Sequence, residues 1–116
     1  MILEKKRIKL NSLQSKTLVL LQVLARDPDS ASPAGNGNEG DIRITRLPHA
    51  HGHHMHVGDY VVSSRDASGL NNKSVWTALS RKGLVRENWE QEIILTKQGL
   101  DFVTGLGDKF LTATDH

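Results

Sequence analysis

Apolar residues near the start of the chain recur at the spacing of one helix face. They are Leu10, Leu13, Leu20, Leu21 and Leu24. This period predicts an amphipathic core helix from about Ser12 to Arg26. Asn11 precedes the helix and Gln14 follows three residues later, which is the pattern of a capping box. Asp27-Pro28 ends the helix, because a residue that precedes proline disfavours the helical conformation.

The same segment has one feature of a secretory signal, since basic residues precede its apolar run. However, Gln22 interrupts the run, and the helical spacing favours a core helix. No stretch of the chain approaches the roughly 20 apolar residues that a membrane span needs. The chain also has no cysteine, which fits a reducing compartment. These features predict a cytoplasmic protein that does not enter a membrane.

The middle of the chain is poor in large apolar residues. Residues 27–41 contain none, so we expect a flexible loop inside the domain that adds nothing to the core. Residues 42–47 alternate between apolar and polar, which predicts a short strand. Residues 57–66 leave two alternatives open. They form either a short helix or the second arm of a hairpin with 42–47, closed by the segment between them.

A helix over 71–82 is the clearest prediction in the second half. An asparagine caps it, and Gly83 ends it by turning the chain sharply with positive φ. Leu84 and Val85 then start a strand directly after the turn. One side of the helix carries Val75, Ala78, Leu79 and Lys82.

Two strands and a final helix are predicted after this turn. The stretches "LVREN" and "EIILT" predict strands around the tight connection "WEQ". Thr96 caps the final helix, "KQGLDFVTGL", in which we expect Leu100 and Val103 to face inward. A helix pair followed by a two-stranded hairpin is the order of a winged helix-turn-helix. The sequence therefore predicts a small α+β fold in which residues 1–116 form a single domain.

Two stretches of the sequence carry a family resemblance. "SVWTALSRKGLV" resembles the recognition helix and following strand of MarR-like winged-helix regulators, and "IILTKQGLDFV" resembles their second wing strand and its exit. The resemblance covers about residues 69–104 and implies a transcriptional regulator that binds double-stranded DNA. It also implies a homodimer, because such regulators usually bind two half-sites. Base edges and phosphates would then be contacted by Asn72, Lys73, Ser74, Thr77, Ser80 and Arg81.

The charge distribution keeps a second function open. The net charge is only +2, and such a mild excess does not by itself imply nucleic acid. The predicted wing reads "RENWEQE", whose carboxylates at Glu87, Glu90 and Glu92 are repelled by phosphate. The alternative is a winged-helix protein-interaction module that makes no direct contact with DNA.

The stretch "PHAHGHHMH", residues 48–56, holds five of the chain's 6 histidines. If it is extended, His49, His51 and His53 share one face, and if it is helical, His49, His53 and His56 do. Together with His54, these residues are candidate ligands of a zinc or nickel ion, because neutral imidazoles bind both metals. A metal-responsive regulator is therefore a third alternative, whereas a polar loop or a pH-responsive segment needs no metal.

No stretch of the sequence predicts an enzyme. "HAHGHH" is similar to the His-x-His-x-Asp-His signature of the metallo-β-lactamase superfamily, but His53 replaces the aspartate. That layered α/β fold also needs roughly twice this length. Ser63 and Ser64 lie near the histidines in sequence, yet the chain has no nucleophile elbow and no glycine-rich phosphate loop. We therefore expect no catalytic activity.

Overall fold

Three α-helices and two antiparallel sheets make up the structure, a computed structural model that describes residues 8–106 and 110–113. The side chains of residues 50, 51, 112 and 113 are outside this description. The helices are α1 (Ser12–Ala25), α2 (Lys73–Arg81) and α3 (Lys97–Asp101). The arrangement confirms the α+β class. Within the described residues, no helix is both long enough and apolar enough to cross a membrane.

Helix α1 lies between the other elements and contacts both sheets and both other helices. Its predicted capping box is confirmed, because the Gln14 amide donates to the Asn11 side chain over 2.8 Å and the Asn11 amide donates back to the Gln14 side chain over 3.1 Å. A helix that is covered on most sides is expected to be apolar on most sides. Its fully buried leucines are Leu18, Leu20 and Leu21.

The first sheet has three strands in the order β1-β2-β6, all antiparallel. They are β1 (Ala31–Pro33), β2 (Ile42–Ile44) and β6 (Ile93–Leu95). The predicted strand over 42–47 is therefore present but shorter.

The expectation that nothing in 27–41 joins the core is wrong. This segment contains β1, and Ser30, Ala34 and Asp41 within it are buried. Small side chains and a paired carboxylate can be buried where large apolar residues are lacking, provided that the polar atoms find partners. Asp41 finds several partners.

The second sheet has four strands in the order β3-β4-β5-β7. They are β3 (Ala50–His51), β4 (His54–Val57), β5 (Tyr60–Ser63) and β7 (Thr112–Ala113). Within 57–66 the structure therefore has the strand β5 and no helix, but the hairpin partner of β5 is β4 in the histidine segment and not 42–47. The alternation along β4 explains this choice, since Met55 and Val57 are buried while His54 and His56 are exposed.

A single 3₁₀ turn, Ser68–Asn71, stands immediately before α2. It replaces the first helix of the helix pair that the sequence led us to expect. The turn lies tight against α1, because a Cβ atom added at Gly69 would come within 1.9 Å of the Thr17 hydroxyl. This close approach brings α2 against α1, where Val75 and Leu79 are buried as predicted.

The two stretches that carry the family resemblance meet after α2. Gly83 has the predicted positive φ, at 75°, and its carbonyl accepts a 2.7 Å hydrogen bond from the Thr96 hydroxyl. The same hydroxyl accepts from the Gly99 amide over 3.0 Å, which confirms Thr96 as the cap of α3. A Cβ at Gly99 would lie 2.2 Å from the Leu84 carbonyl oxygen. The glycine of the Leu-Thr-x-x-Gly pattern is thus required by close packing.

The predicted two-stranded wing is only partly formed. Its second strand is β6, but "LVREN" forms only one bridge, between Val85 and Leu95, with two backbone hydrogen bonds around it. The Arg86 amide donates to the Ile94 carbonyl, and the Thr96 amide donates to the Leu84 carbonyl. A turn segment over residues 87–92 joins the two sides.

Helix α3 is shorter than predicted, and the inward position of Val103 is wrong. The chain becomes extended at Phe102 (φ −66°, ψ 132°), so Leu100 is half-buried but Val103 is 86% exposed. The buried Gln22 amide donates to the carbonyls of Gly99 and Phe102, over 2.9 and 2.8 Å. The polar residue that interrupts the apolar run of α1 therefore satisfies the end of α3.

Candidate nucleic-acid interface and histidine hairpin

The outer face of α2 brings together four of the six predicted DNA-binding residues. Lys73, Ser74, Thr77 and Arg81 line a shallow depression of about 390 Å³. Lys73, Ser74 and Arg81 are exposed, and Thr77 is half-buried. Their spacing places them on one side of the helix, away from the buried Trp76 and Leu79. Two cations and two hydroxyls on one face are able to hold phosphate oxygens.

The other two predicted residues are engaged within the fold. The Asn72 side chain accepts a hydrogen bond from the Ser74 amide over 3.0 Å, so it caps α2. The Ser80 hydroxyl donates to the Arg86 carbonyl over 3.3 Å. Because these groups already have partners, they contribute less to an external ligand than the four residues of the α2 face.

Two tryptophans join α2 to the turn segment 87–92. The rings of Trp76 and Trp89 are stacked, with centroids 5.8 Å apart and planes 13° from parallel. Trp76 is almost fully buried, and its indole donates to the Leu70 carbonyl over 2.9 Å. Sequence reasoning assigned no role to Trp89, although a large apolar side chain within an acidic turn is a signal that could have identified it. The stack holds the turn back against α2.

The carboxylates of the turn are not equivalent. Glu87 and Glu90 are exposed, whereas a Glu92 oxygen lies 3.3 Å from the Arg43 guanidinium. The acidic character that the sequence indicates is therefore partly balanced by β2. The exposed carboxylates add negative charge beside α2.

Asp41 is the main electrostatic tie in this part of the molecule. One carboxylate oxygen accepts from Arg86 Nε and Nη2, over 2.9 and 2.6 Å, and the other accepts from the Lys97 amide over 3.0 Å. The Asn36 side chain donates a further bond over 3.3 Å. Burial alone would raise the pKa of Asp41, but these bonds outweigh burial and leave its pKa below the ordinary value. The carboxylate thus joins the 27–41 segment to Arg86 and to the start of α3.

Lys82, the residue after α2, contacts the start of the described chain near the C-terminal end of that helix. The Lys82 ammonium donates to the Lys9 carbonyl, and Lys9 is itself exposed. The C-terminal end of α2 therefore has further positive charge near it, in addition to that of Arg81.

The histidine segment is neither a continuous strand nor a helix. It bends at Gly52 and His53 into the β3-β4 hairpin, which sets His51 opposite His54 in the backbone register. His49 and His53 are exposed, and so are His54 and His56 on β4. The rings of His54 and His56 have centroids 5.2 Å apart and planes at 80°.

No three-ligand metal cluster is formed by the side chains that the structure describes. The side chain of His51 lies outside them, so the predicted three-histidine set that includes it stays a prediction. The helical set of His49, His53 and His56 is incompatible with the hairpin, because a helix is absent there.

A homodimer through an exposed apolar stripe on α1 has no support, since that helix is largely buried. Among the described residues, Val103 is the one large apolar side chain that is exposed. The homodimer stays a prediction from the resemblance.

Comparisons of the chain with protein-family models, with curated proteins and with solved structures found no match.

Proposed function

We propose that the protein is a DNA-binding transcriptional regulator of winged-helix type, in which α2 contacts the duplex. The observation that carries this proposal is the α2 face, on which Lys73, Ser74, Thr77 and Arg81 lie together and exposed or half-exposed. Cations and hydroxyls of this kind hold phosphate oxygens, and arginine also pairs with base edges. The opposite face of α2 is buried, so the polar face is presented by a rigid element.

The order of the elements also supports the proposal. The expected order is a first helix, a strand, the recognition helix and a strand that pairs with the first strand. In this chain these elements are α1, β2, α2 and β6. The departure is the helix before α2, where this chain has the 3₁₀ turn Ser68–Asn71. In the proposed arrangement the position of α2 is fixed by the contact of Gly69 with α1, and no preceding helix is needed for this.

The acidic turn determines how DNA would be bound. Glu87 and Glu90 repel phosphate, and the stack of Trp89 on Trp76 holds the turn back. We infer that α2 and the nearby lysines carry the contact without an inserted wing. Binding through so few phosphate contacts is weak, and its dependence on salt is modest, because the salt slope scales with the number of contacts.

Duplex binding at several salt concentrations tests the proposal. Fluorescence anisotropy with a labelled mixed-sequence duplex should give an affinity that falls linearly on logarithmic axes as salt rises. Lys73→Ala and Arg81→Ala should each weaken binding and reduce the salt slope by about 1, since each removes one phosphate contact. Arg26→Ala is the matched control. Arg26 is an exposed cation at the far end of α1, so its loss should leave the slope nearly unchanged.

A winged-helix interaction module without DNA contact is the second candidate. It is favoured by the exposure of Glu87 and Glu90 around Trp89, which stacks on α2, because a surface of mixed charge suits a protein partner better than phosphate. Glu90→Lys separates the two candidates. If neither the wild type nor this variant binds duplex at low salt, the DNA proposal is abandoned in favour of the interaction module.

A further inference from the structure

We propose that His54 and His56 form a two-imidazole chelate for a divalent transition-metal ion on the outer face of β4. The proposal is independent of the DNA-binding function. It differs from the three-histidine sets that the sequence suggests, because it uses only two histidines, two residues apart on one strand. Residues two apart on a strand point to the same side of the sheet, and both histidines are exposed there.

The separation of the two rings suits one ion. Imidazole nitrogens bind zinc at about 2.0–2.1 Å, so two rings on one tetrahedral ion have their centres roughly 5 Å apart. The ring centroids of His54 and His56 are 5.2 Å apart. The planes stand at 80°, so the rings must turn to direct one nitrogen each toward the same ion. The second side-chain torsion of histidine is broad, which permits such a turn.

The backbone holds this pair in place without the metal. Strand β4 is paired on one side with β3 and on the other with β5. Between the two histidines, Met55 points inward and is 4% exposed. The turn that precedes β4 is tied down as well, because the His53 carbonyl accepts from the Ser64 amide over 2.8 Å. Because pairing with β3 and β5 already fixes the backbone of β4, the two histidines lose little backbone freedom when they bind an ion.

The chemistry of two neutral imidazoles selects the class of metal. Imidazole suits copper, nickel and zinc, whereas magnesium and calcium require oxygen ligands. Two protein ligands leave the remaining positions to water, so the affinity is below that of a closed structural site. The order of affinity should be copper above nickel and zinc.

Thermal unfolding of the untagged full chain with and without zinc or copper tests the chelate. A metal held by the folded hairpin raises the melting temperature by mass action, whereas a metal bound equally by the unfolded chain does not. We expect a rise in the wild type at near-millimolar zinc. Calorimetric titration should give about one ion per chain.

Single substitutions identify the ligands. His54→Ala and His56→Ala should each remove the rise in melting temperature and weaken binding by at least about tenfold, since a lone imidazole loses the benefit of the second. His49→Ala and His53→Ala are the matched controls. They remove exposed histidines of the same stretch, so each should keep the rise and change the affinity less than about twofold. All four variants should fold without metal, because the replaced side chains are exposed.

Three results would overturn the proposal. One is the absence of any metal-dependent rise in the wild type. Another is equal weakening by all four substitutions, which would mean that the histidines bind as an unstructured tract. The third is loss of the rise in His53→Ala or His49→Ala while His54→Ala or His56→Ala keeps it.

Discussion

Removal of the Asp41 carboxylate should destabilise the fold and remove part of its dependence on acid. Asp41 is 4% exposed and accepts two bonds from Arg86 and one from the Lys97 amide. It therefore connects three parts of the chain that are distant in sequence. We expect Asp41→Asn to keep the shape of the site but to set an amide donor against the guanidinium.

The magnitude follows from the two kinds of partner. A hydrogen bond to a charged group contributes about 1.5–3 kcal/mol. The side chain of Arg86 is 41% exposed, so it regains water when the carboxylate is lost, and its share falls toward the roughly 0–1 kcal/mol of a surface ion pair. The Lys97 amide is part of the folded backbone and cannot move out to water as easily, so losing its hydrogen bond costs nearer the full amount. The expected loss for Asp41→Ala is about 2–4 kcal/mol, and Asp41→Asn should lose less.

The dependence on pH has a definite sign. The pKa of Asp41 is lower in the folded protein than its ordinary value, which is about 3.9 in the unfolded chain. Its contribution to stability is therefore fully present above that unfolded value and is lost as the pH falls through the lower folded value. The Asp66 carboxyl behaves in the same direction, because its hydrogen bond from Lys16 lowers its pKa. The difference between wild type and Asp41→Asn should shrink in acid, whereas the Asp66 contribution is lost equally from both proteins and cancels from that difference.

Urea unfolding across a pH series measures this effect, with the free energy of unfolding taken by linear extrapolation. Asp29→Asn is the matched control, since Asp29 is exposed in the same segment. Two outcomes would refute the reasoning. One is a stability loss for Asp41→Asn that is as large near pH 2 as at pH 7. The other is a loss no greater than that of the control at neutral pH.

Three further predictions concern packing. Leu79→Ala should lower the free energy of unfolding in urea by about 2–5 kcal/mol, because the side chain is completely buried. A change near zero would argue against the packing of α2 on the core. Gly99→Ala should destabilise the protein by about 1–3 kcal/mol through overpacking. The control Gln98→Ala, on the exposed side of α3, should leave stability unchanged. Equal stability of the two variants would contradict the close approach of Gly99 to the Leu84 carbonyl. Trp89→Ala should shift the fluorescence of Trp76 toward that of a solvated indole, since the stacked ring is its cover, and an unchanged spectrum would refute the stack.

The elements that the sequence determined by itself are those fixed by neighbours along the chain. The capping box of α1, the positive φ of Gly83 and the cap at Thr96 are local hydrogen-bond or steric requirements, and all three are present. The buried side of α2 follows from its apolar period in the same way. The family resemblance named six residues of this helix as DNA contacts, of which the structure brings four together on the α2 face; their contact with DNA stays a prediction.

Tertiary structure alone decided the features that depend on distant partners. Residues 57–66 pair with the histidine segment, because strand partners are chosen by burial and register across the whole sheet. The 27–41 segment joins the fold through Asp41, whose partner Arg86 lies 45 residues away, and no local pattern signals such a pair. Val103 is exposed because the chain leaves α3 at Phe102. A local pattern fixes caps and helix faces, but which polar groups can be buried depends on partners that only the folded chain supplies.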